Sequence, residues 1–235
     1  MSRLIVILFA IAALFATGSC VPSVHGIATE SNIIYRPELV GSWVSDDNSA
    51  AWVFSSVDEL HYMLELVTQD GTDGLFNVAL VELEGELFLD MFPSDQDFNW
   101  PLKSYYGLHF MPMHTFMHAE LSEDGLALRM MDPSWLDAKL SQEPGFTPVI
   151  HENMTALTGS TAELQALLPQ LLSEAPIPGG GFMGGDASPF TEAVPLIRGE
   201  LTPMEGMDPA EFMEFEDMEE MEPEPVEDAA PVTAP

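Results

Sequence analysis

Residues 75–92 read LFNVALVELEGELFLDMF, and this stretch decides the fold class. Apolar residues on both sides of Glu84-Gly85-Glu86 alternate with polar ones or form short runs, which is typical of two β-strands joined by a tight turn. We therefore predict a β-hairpin whose strands lie at 75–83 and 87–92.

Similar strand-like runs flank this hairpin on both sides. They lie at 51–57, 60–68, 109–121 and 126–131, with a further strand expected within 147–157 and a last one at 194–198. Turn signals about 8–12 residues apart separate most of these runs, which favours an antiparallel sandwich or barrel.

Two helices are expected to interrupt the strands. Asp132-Pro133 supplies an N-cap and a first-turn proline for a helix near 133–142. Ser160-Thr161-Ala162-Glu163 is a capping box, and the leucines after it form one face of a helix near 161–174. Pro169 lies inside that helix and is expected to kink or shorten it. The predicted class is mainly β with one or two helices, as an antiparallel β-barrel or a related sandwich.

The charge of the chain excludes one class of function. Among 235 residues, six basic residues face 39 acidic ones, which gives a formal net charge of −33. Such a surface repels phosphate backbones, so we exclude nucleic-acid binding. The composition is 46% hydrophobic, which is enough for a substantial core.

The first 19 residues have the pattern of a signal peptide. Arg3 precedes an apolar run at 4–16, and small residues then lead to Cys20, the only cysteine. A run of this length is within the ~7–15 residues of a signal-peptide core and short of the ~20 that span a bilayer. The sequence therefore predicts export, with a signal peptide at 1–19.

Gly18-Ser19-Cys20 resembles the lipobox of bacterial lipoproteins, although Thr17 stands where that family usually has Leu. The resemblance implies that Cys20 is lipidated and anchors the protein to a membrane of the cell envelope, facing the periplasm or the exterior. The alternative is an ordinary signal peptide, cut near Gly18 or further on at Gly26.

Two flanking segments are expected to lie outside the folded domain at 39–198. Residues 20–38 contain Pro, Gly, Ser and Asn without periodicity, so we expect a lipid-anchored tether. Residues 199–235 are rich in Asp and Glu and lack Lys and Arg, which predicts a disordered acidic tail. Within the tail, apolar residues recur every three positions over 208–221, so this piece could fold against a protein partner.

Gly41-Ser42-Trp43, the meander of strands and a late helix resemble a lipocalin-type β-barrel. That family implies that the opening Trp packs at the closed end and that a C-terminal helix lies against the barrel wall. The chain also resembles exported bacterial lipoproteins of unassigned function. That likeness rests on Leu87-Phe88-Leu89-Asp90, Pro112-Met113-His114 and the start of the second helix at 161–165, and it implies no activity.

Residues 111–118, MPMHTFMH, combine residue types that bind copper. On a strand, however, His114 and His118 are ~13 Å apart, since each residue adds ~3.3 Å. They cannot then share one metal ion. We predict instead that the methionines fill the core from one face and the histidines lie on the other face. No metal or other cofactor is expected.

The sequence offers little to an enzyme. It lacks a Gly-x-Ser-x-Gly motif, a Gly-rich phosphate loop and a His-Glu-x-x-His motif. Asp90, between Leu89 and Met91, is either an inward carboxylate or one that faces solvent or caps a neighbouring turn. We therefore expect a non-enzymatic protein, with an envelope hydrolase built on loop carboxylates as a remote alternative.

Binding or an envelope-structural role is the expected function. A small closed barrel can hold one apolar molecule, so the alternative is a carrier of a small apolar ligand. Five aromatic side chains are candidates to line such a cavity, although they could equally fill it as a core. These are Tyr62, Phe76, Phe88, Phe110 and Phe116.

Overall fold

The computed structural model of the chain describes residues 21–69, 71–94, 112–123, 125–142, 148–151, 154–181 and 185–202. The predicted signal peptide with Cys20, the candidate Phe110 and all of the predicted acidic tail after Thr202 lie outside the described residues.

The described residues form strands, two α-helices and a short 3₁₀ helix at Pro37–Leu39. The strands are β1 (Pro22–Ser23), β2 (Ile33–Ile34), β3 (Gly41–Ser45), β4 (Ala50–Ser56), β5 (His61–Thr68), β6 (Gly71–Leu83), β7 (Glu86–Pro93), β8 (His114–Leu121), β9 (Gly125–Met130), β10 (Pro148–His151), β11 (Met154–Leu157) and β12 (Val194–Arg198). The helices are α1 (Pro133–Gln142) and α2 (Thr161–Leu172).

Eight of these strands close into an antiparallel barrel. Strands β3 to β9 follow one another as a meander, and each pairs with the next. Strand β12 then fits between β9 and β3 and closes the ring. The predicted mainly β class is confirmed, and of its two forms the barrel is the correct one.

The hairpin predicted from residues 75–92 is confirmed as β6 and β7. Leu83 pairs with Glu86, so the turn contains only Glu84 and Gly85. Both turn residues have positive φ, 54° and 88°. Positive φ at both positions is the type I′ geometry, whose twist matches that of the flanking strands.

Alternate residues of the barrel strands point inward and form the barrel core. Its buried members are Leu39, Trp43, Phe54, Tyr62, Leu64, Val78, Leu80, Leu89, Met91, Met117, Ala119, Leu126, Leu128 and Leu196. Met117 and Ala119 of β8 lie in this core, as the alternation predicted. An eight-stranded barrel has an interior that side chains of this size can fill.

A second cluster, the outer cluster, lies on the outer wall of β6, β7 and β8. Its buried members are Val21, Ile27, Ala79, Val81, Leu83, Phe88, Phe116, Met131, Trp135, Leu136, Leu157, Leu164, Leu168, Leu171, Ala187 and Phe190. The two helices contribute their apolar faces to it. These strands are therefore buried on both sides, which explains why their apolar residues form runs as well as alternating.

Trp43 packs at the end of the barrel where β3 begins and β12 ends. Its indole is fully buried and donates a hydrogen bond to the Leu39 carbonyl at 2.8 Å. The Arg198 guanidinium lies over the ring, 4.3 Å from its centre. Gly41 has φ 128°, and a Cβ there would lie 2.8 Å from Arg198 Nη1, so the position requires glycine.

Both helices begin with the predicted caps. The Ser134 amide donates to Asp132 Oδ1 at 2.8 Å before α1. At α2 the Ser160 side chain and Glu163 form the reciprocal capping box. The second helix continues past Pro169 to Leu172, two residues short of the predicted end. None of the described helices has the length and hydrophobicity needed to cross a bilayer.

Some strand bounds differ from the predictions. The single strand expected within 147–157 is a hairpin, in which β10 and β11 pair antiparallel. Strand β8 begins at His114, and residues 112–113 before it are not in a strand.

The largest difference concerns residues 21–38, which we expected to be a flexible tether. Val21, Ser23 and Ile27 are buried, and β1 pairs with both β8 and β11. Strand β2 pairs with β6, and Ile34 and Tyr35 pack against the barrel core. The segment lacks regular periodicity because its partners are side chains and strands from distant parts of the chain.

Candidate functional site

The most distinctive polar group of the structure is the carboxylate of Asp90 on β7. Its side chain is only 3% exposed. One oxygen, Oδ2, accepts hydrogen bonds from the amides of Ile27 at 2.7 Å and Ala28 at 3.0 Å. The sequence left open an inward carboxylate, one that faces solvent and one that caps a neighbouring turn, and the structure matches none of these, because Asp90 is buried on the outer side of β7. Its carboxylate binds the backbone amides of an irregular segment that lies 62 and 63 residues earlier in the chain.

His114 on β8 occupies the other oxygen of Asp90. Its Nδ1 lies 2.6 Å from Asp90 Oδ1, and its side chain is 24% exposed. The ring also packs on Phe92, with 4.6 Å between the ring centres. A short contact between a carboxylate and an imidazole orients the ring firmly, as charge-assisted hydrogen bonds do.

Gly26 lies directly against this pair. A Cβ on Gly26 would be 2.7 Å from both Asp90 Oδ2 and His114 Cε1. Real Cβ atoms do not approach other atoms so closely, so only glycine allows the backbone to reach the pair.

The backbone around Gly26 has further partners on its other side. We call residues 21–28 the strap, because they cross the outer wall of the barrel. The carbonyl of Gly26 accepts from Thr161 Oγ1 at 2.9 Å, and that of Ile27 accepts from Gln165 Nε2 at 2.8 Å. Strand β7 thus binds the amides of the strap and helix α2 binds its carbonyls.

The pairing of Asp90 with His114 uses the same contact that orients a catalytic histidine in hydrolases. Here the second carboxylate oxygen is bound to two backbone amides, so the carboxylate holds chain segments together. In chemical terms the described arrangement is an anchor for the strap.

His118 lies on the same outer face of β8 and pairs with a different carboxylate. Its Nε2 is 2.9 Å from Glu86 Oε2, and its ring packs edge-on to Phe88. Within the described residues its buried Nδ1 has no hydrogen-bond partner. Nor does any group of three or more His, Cys, Asp or Glu side chains in those ranges form an arrangement that could hold a metal ion.

Four of the five aromatic residues considered for a ligand cavity are among the described residues, and these four lie in different parts of the structure. Tyr62 is fully buried in the barrel core, and the partly buried Phe76 packs against that core. Phe88 and Phe116 belong to the outer cluster instead. The structure therefore does not bring these four side chains together in one space.

The barrel core contains large side chains at successive inward positions. Trp43, Phe54 and Tyr62 are each at most 1% exposed, as are several of the core leucines. The Tyr62 hydroxyl accepts from the Arg36 amide at 2.7 Å and donates to the Arg36 carbonyl at 3.2 Å. Burial raises the pKa of Tyr62, although the hydrogen bond from the Arg36 backbone opposes this change.

Two open hollows lie on the outer surface near the end of α2. One, of about 440 Å³, is lined by Arg129, Asp132, Leu171, Leu172, Glu174, Asp186, Ser188, Pro189, Phe190, Thr191 and Glu192. The other, of about 500 Å³, is lined by Lys139, Leu167, Gln170, Leu171, Ser173, Glu174 and Ala175. Each hollow has one basic residue in its lining, and each of these residues forms an ion pair. Arg129 pairs with Glu120 at 3.0 Å, and Lys139 pairs with Glu174 at 2.6 Å.

Sequence reasoning considered Asp90 and His114 separately, and it predicted neither their pairing nor the strap as their partner. One local signal was available, because Thr29 and Asn32 form a turn in which Asn32 Oδ1 accepts from the Thr29 amide at 2.7 Å. Asn32 Nδ2 also donates to the Ile27 carbonyl at 3.0 Å. A turn of this kind just after an isolated glycine indicates an ordered segment rather than a tether.

Comparison of the chain with protein-family models, with curated proteins and with solved structures found no match.

Proposed function

We propose that the protein is a non-enzymatic lipoprotein of the bacterial cell envelope, anchored to a membrane through Cys20. Its barrel acts as a rigid structural or binding module on that membrane. The proposal begins from the N-terminal sequence, in which a signal-peptide pattern ends at the only cysteine of the chain.

The observation that carries the structural part of the proposal is the packing of the barrel core. Trp43, Phe54 and Tyr62 occupy the interior with almost no exposure. An interior filled in this way suits a rigid module better than a carrier, because a carrier needs an apolar space for its ligand.

The use of Asp90 supports a role without catalysis. Both oxygens of its buried carboxylate are occupied, by His114 and by the amides of Ile27 and Ala28. A catalytic carboxylate has to be reachable by its substrate or by a group that reacts with it.

Fractionation of the full-length protein in a bacterial host tests the anchor. The native chain should sediment with membranes, and the Cys20→Ala variant should move to the soluble fraction, since it lacks the acylated thiol. Ser19→Ala is the matched control, because it keeps a small residue beside the cysteine. Membrane retention of the Cys20→Ala variant would disprove anchoring through this residue.

Mass spectrometry of the purified membrane form tests the role of the barrel. We expect acyl groups on the N-terminal peptide and no small apolar molecule that co-purifies in stoichiometric amount. A stoichiometric apolar ligand that survives delipidating washes would favour the carrier function instead.

A further inference from the structure

The turn between β4 and β5, residues 57–60, places two large apolar side chains in solvent. Val57 is 56% exposed and Leu60 is 42% exposed. Within the part of the chain that the structure describes, neither side chain belongs to the barrel core or to the outer cluster. Since burial is what makes an apolar side chain stabilise a fold, the apolar character of these two residues does not serve the packing of the barrel.

The backbone of this turn is held in place by Asp58. One carboxylate oxygen, Oδ1, accepts hydrogen bonds from the amides of Leu60 at 2.7 Å and His61 at 2.8 Å, and the other oxygen lies 2.9 Å from His61 Nδ1. The Val57 amide also donates to the His61 carbonyl at 3.0 Å. The turn therefore presents its two apolar side chains in a fixed arrangement, which reduces the entropic cost of binding a partner.

The same end of the barrel is rich in carboxylates. Successive turns of an antiparallel meander alternate between the two ends, so the β4–β5, β6–β7 and β8–β9 turns share one end. Hydrogen bonds from the Leu60 amide and from His61 lower the pKa of Asp58, so its carboxylate is ionised at neutral pH. The carboxylates described in these turns or directly next to them are Asp58, Glu59, Glu84, Glu86 and Glu123.

Exposed apolar side chains among carboxylates fit one kind of partner best. Anionic lipid headgroups would be repelled by Asp58 and Glu59, and a second copy of the chain would bring like charges together. A protein segment whose apolar side is flanked by Lys or Arg matches both the apolar side chains and the charge.

We propose that the β4–β5 turn binds a cationic amphipathic segment of another protein, with Val57 and Leu60 against its apolar side and Glu59 beside its basic residues. This inference rests on the binding role in the proposed function, and it does not depend on the lipid anchor.

Titration with a synthetic helical peptide, with Leu along one side and Lys along the other, tests the proposal. The full-length chain is used with Cys20→Ala in every sample, so that no acyl group takes part and the result is independent of the anchor. Calorimetry should show a Kd that rises by about tenfold or more for Leu60→Ser, which is the usual effect of losing a buried Leu from an interface. Val57→Ser should also raise the Kd.

Ile197→Ser is the matched control, because Ile197 is 53% exposed but lies on β12, away from this turn. None of these substitutions changes the charge of the chain, so nonspecific attraction of the peptide is the same in all samples. The control should keep the native Kd. Equal Kd values for the native chain and the Leu60→Ser variant would overturn the proposal.

Two further measurements identify the other possible occupants. Sedimentation with phosphatidylcholine vesicles that is lost in Leu60→Ser would overturn the proposal in favour of a membrane surface. A concentration-dependent dimer that is lost in Leu60→Ser would overturn it in favour of a second copy, as sedimentation velocity would show. Leu60→Ser should melt at the native temperature, since its side chain is exposed, so a change in Kd reports binding and not folding.

Discussion

At the scale of single residues, Gly26 makes the most specific prediction. Gly26→Ala should destabilise the fold by about 1–3 kcal/mol, because its Cβ would overlap Asp90 and His114 in a packed site. Urea denaturation measures this difference. Gly185→Ala is the control, because a Cβ there meets nothing within 4 Å and the change should stay within about 0.5 kcal/mol. Equal effects of the two substitutions would contradict the close approach at Gly26.

Asp90→Asn keeps the shape of the side chain but removes the charge that three donors share. We expect the free energy of unfolding to fall by about 1.5–3 kcal/mol, which is typical of hydrogen bonds to a charged group. Hydrogen exchange gives the local readout, since the amides of Ile27 and Ala28 should exchange faster in the variant. Asp58→Asn is a control on an exposed turn. Unchanged exchange at Ile27 would show that Asp90 does not hold the strap.

Tyr62 predicts how stability responds to alkaline pH. Its pKa is raised by burial, so the folded state disfavours the ionised hydroxyl. The resulting stability is fully present below the ordinary tyrosine pKa of about 10 and is lost as pH rises through the higher folded-state value. Between pH 8 and 11, the free energy of unfolding measured by denaturation should therefore decrease less for Tyr62→Phe than for the native chain. Tyr35→Phe, whose ring stacks on Tyr62, should keep the steep decrease.

At the scale of elements, the cap of α2 is the clearest test. Ser160→Ala should lower the free energy of unfolding by about 0.5–2 kcal/mol at neutral pH, which is the usual effect of removing an N-cap side chain. Hydrogen bonds from the Ser160 side chain and backbone lower the pKa of Glu163. The contribution of Glu163 is therefore present above its ordinary pKa of about 4.3 and is lost as pH falls through the lowered value.

Thermal unfolding of the Ser160→Ala variant at pH 7 and pH 3 checks the cap prediction. The difference in melting temperature between the variant and the native chain should be smaller at pH 3 than at pH 7. Ser173→Ala at the other end of the helix is the control, because the Ser173 side chain donates to the Gln170 carbonyl and is not part of the capping box. If the difference in melting temperature is as large at pH 3 as at pH 7, Glu163 does not contribute to stability through the cap.

The elements that the sequence predicted well are those whose determinants are local. The β6–β7 hairpin depends on Glu84 and Gly85 between two strands, and the start of α2 depends on Ser160 and Glu163. Strand alternation also predicted that Met117 and the histidines of β8 lie on opposite faces.

The parts that were missed depend on distant partners. The strap is ordered by Asp90, which lies 63 residues beyond Ile27. Alternation showed that Phe88 and Leu89 face opposite ways, but both are apolar, so the sequence could not decide which one faces the barrel core. The structure assigns Leu89 to the core and Phe88 to the outer cluster, because helices cover the outer wall there.

At the scale of the whole molecule, the C-terminal boundary of the domain makes a prediction. Beyond β12, the Gly199 amide donates to the Ser42 carbonyl at 3.2 Å, and the Thr202 amide donates to Asn48 Oδ1 at 3.0 Å. A chain that ends at Thr202 should therefore melt at a higher temperature than one that ends at Arg198. Calorimetry of the two truncated chains measures the difference. Identical melting temperatures would place the boundary at Arg198 instead.

The position of β12 has a consequence for synthesis of the chain. Ile197 pairs with Val44 of β3 and with Gly125 of β9, so the ring closes only when residues near 197 have been translated. Until then the edges of the first and seventh barrel strands have no partner, and contacts of such long sequence separation form slowly. A ribosome can therefore deliver most of this chain before it folds, and an unfolded chain is the form that can be threaded through a narrow translocation channel.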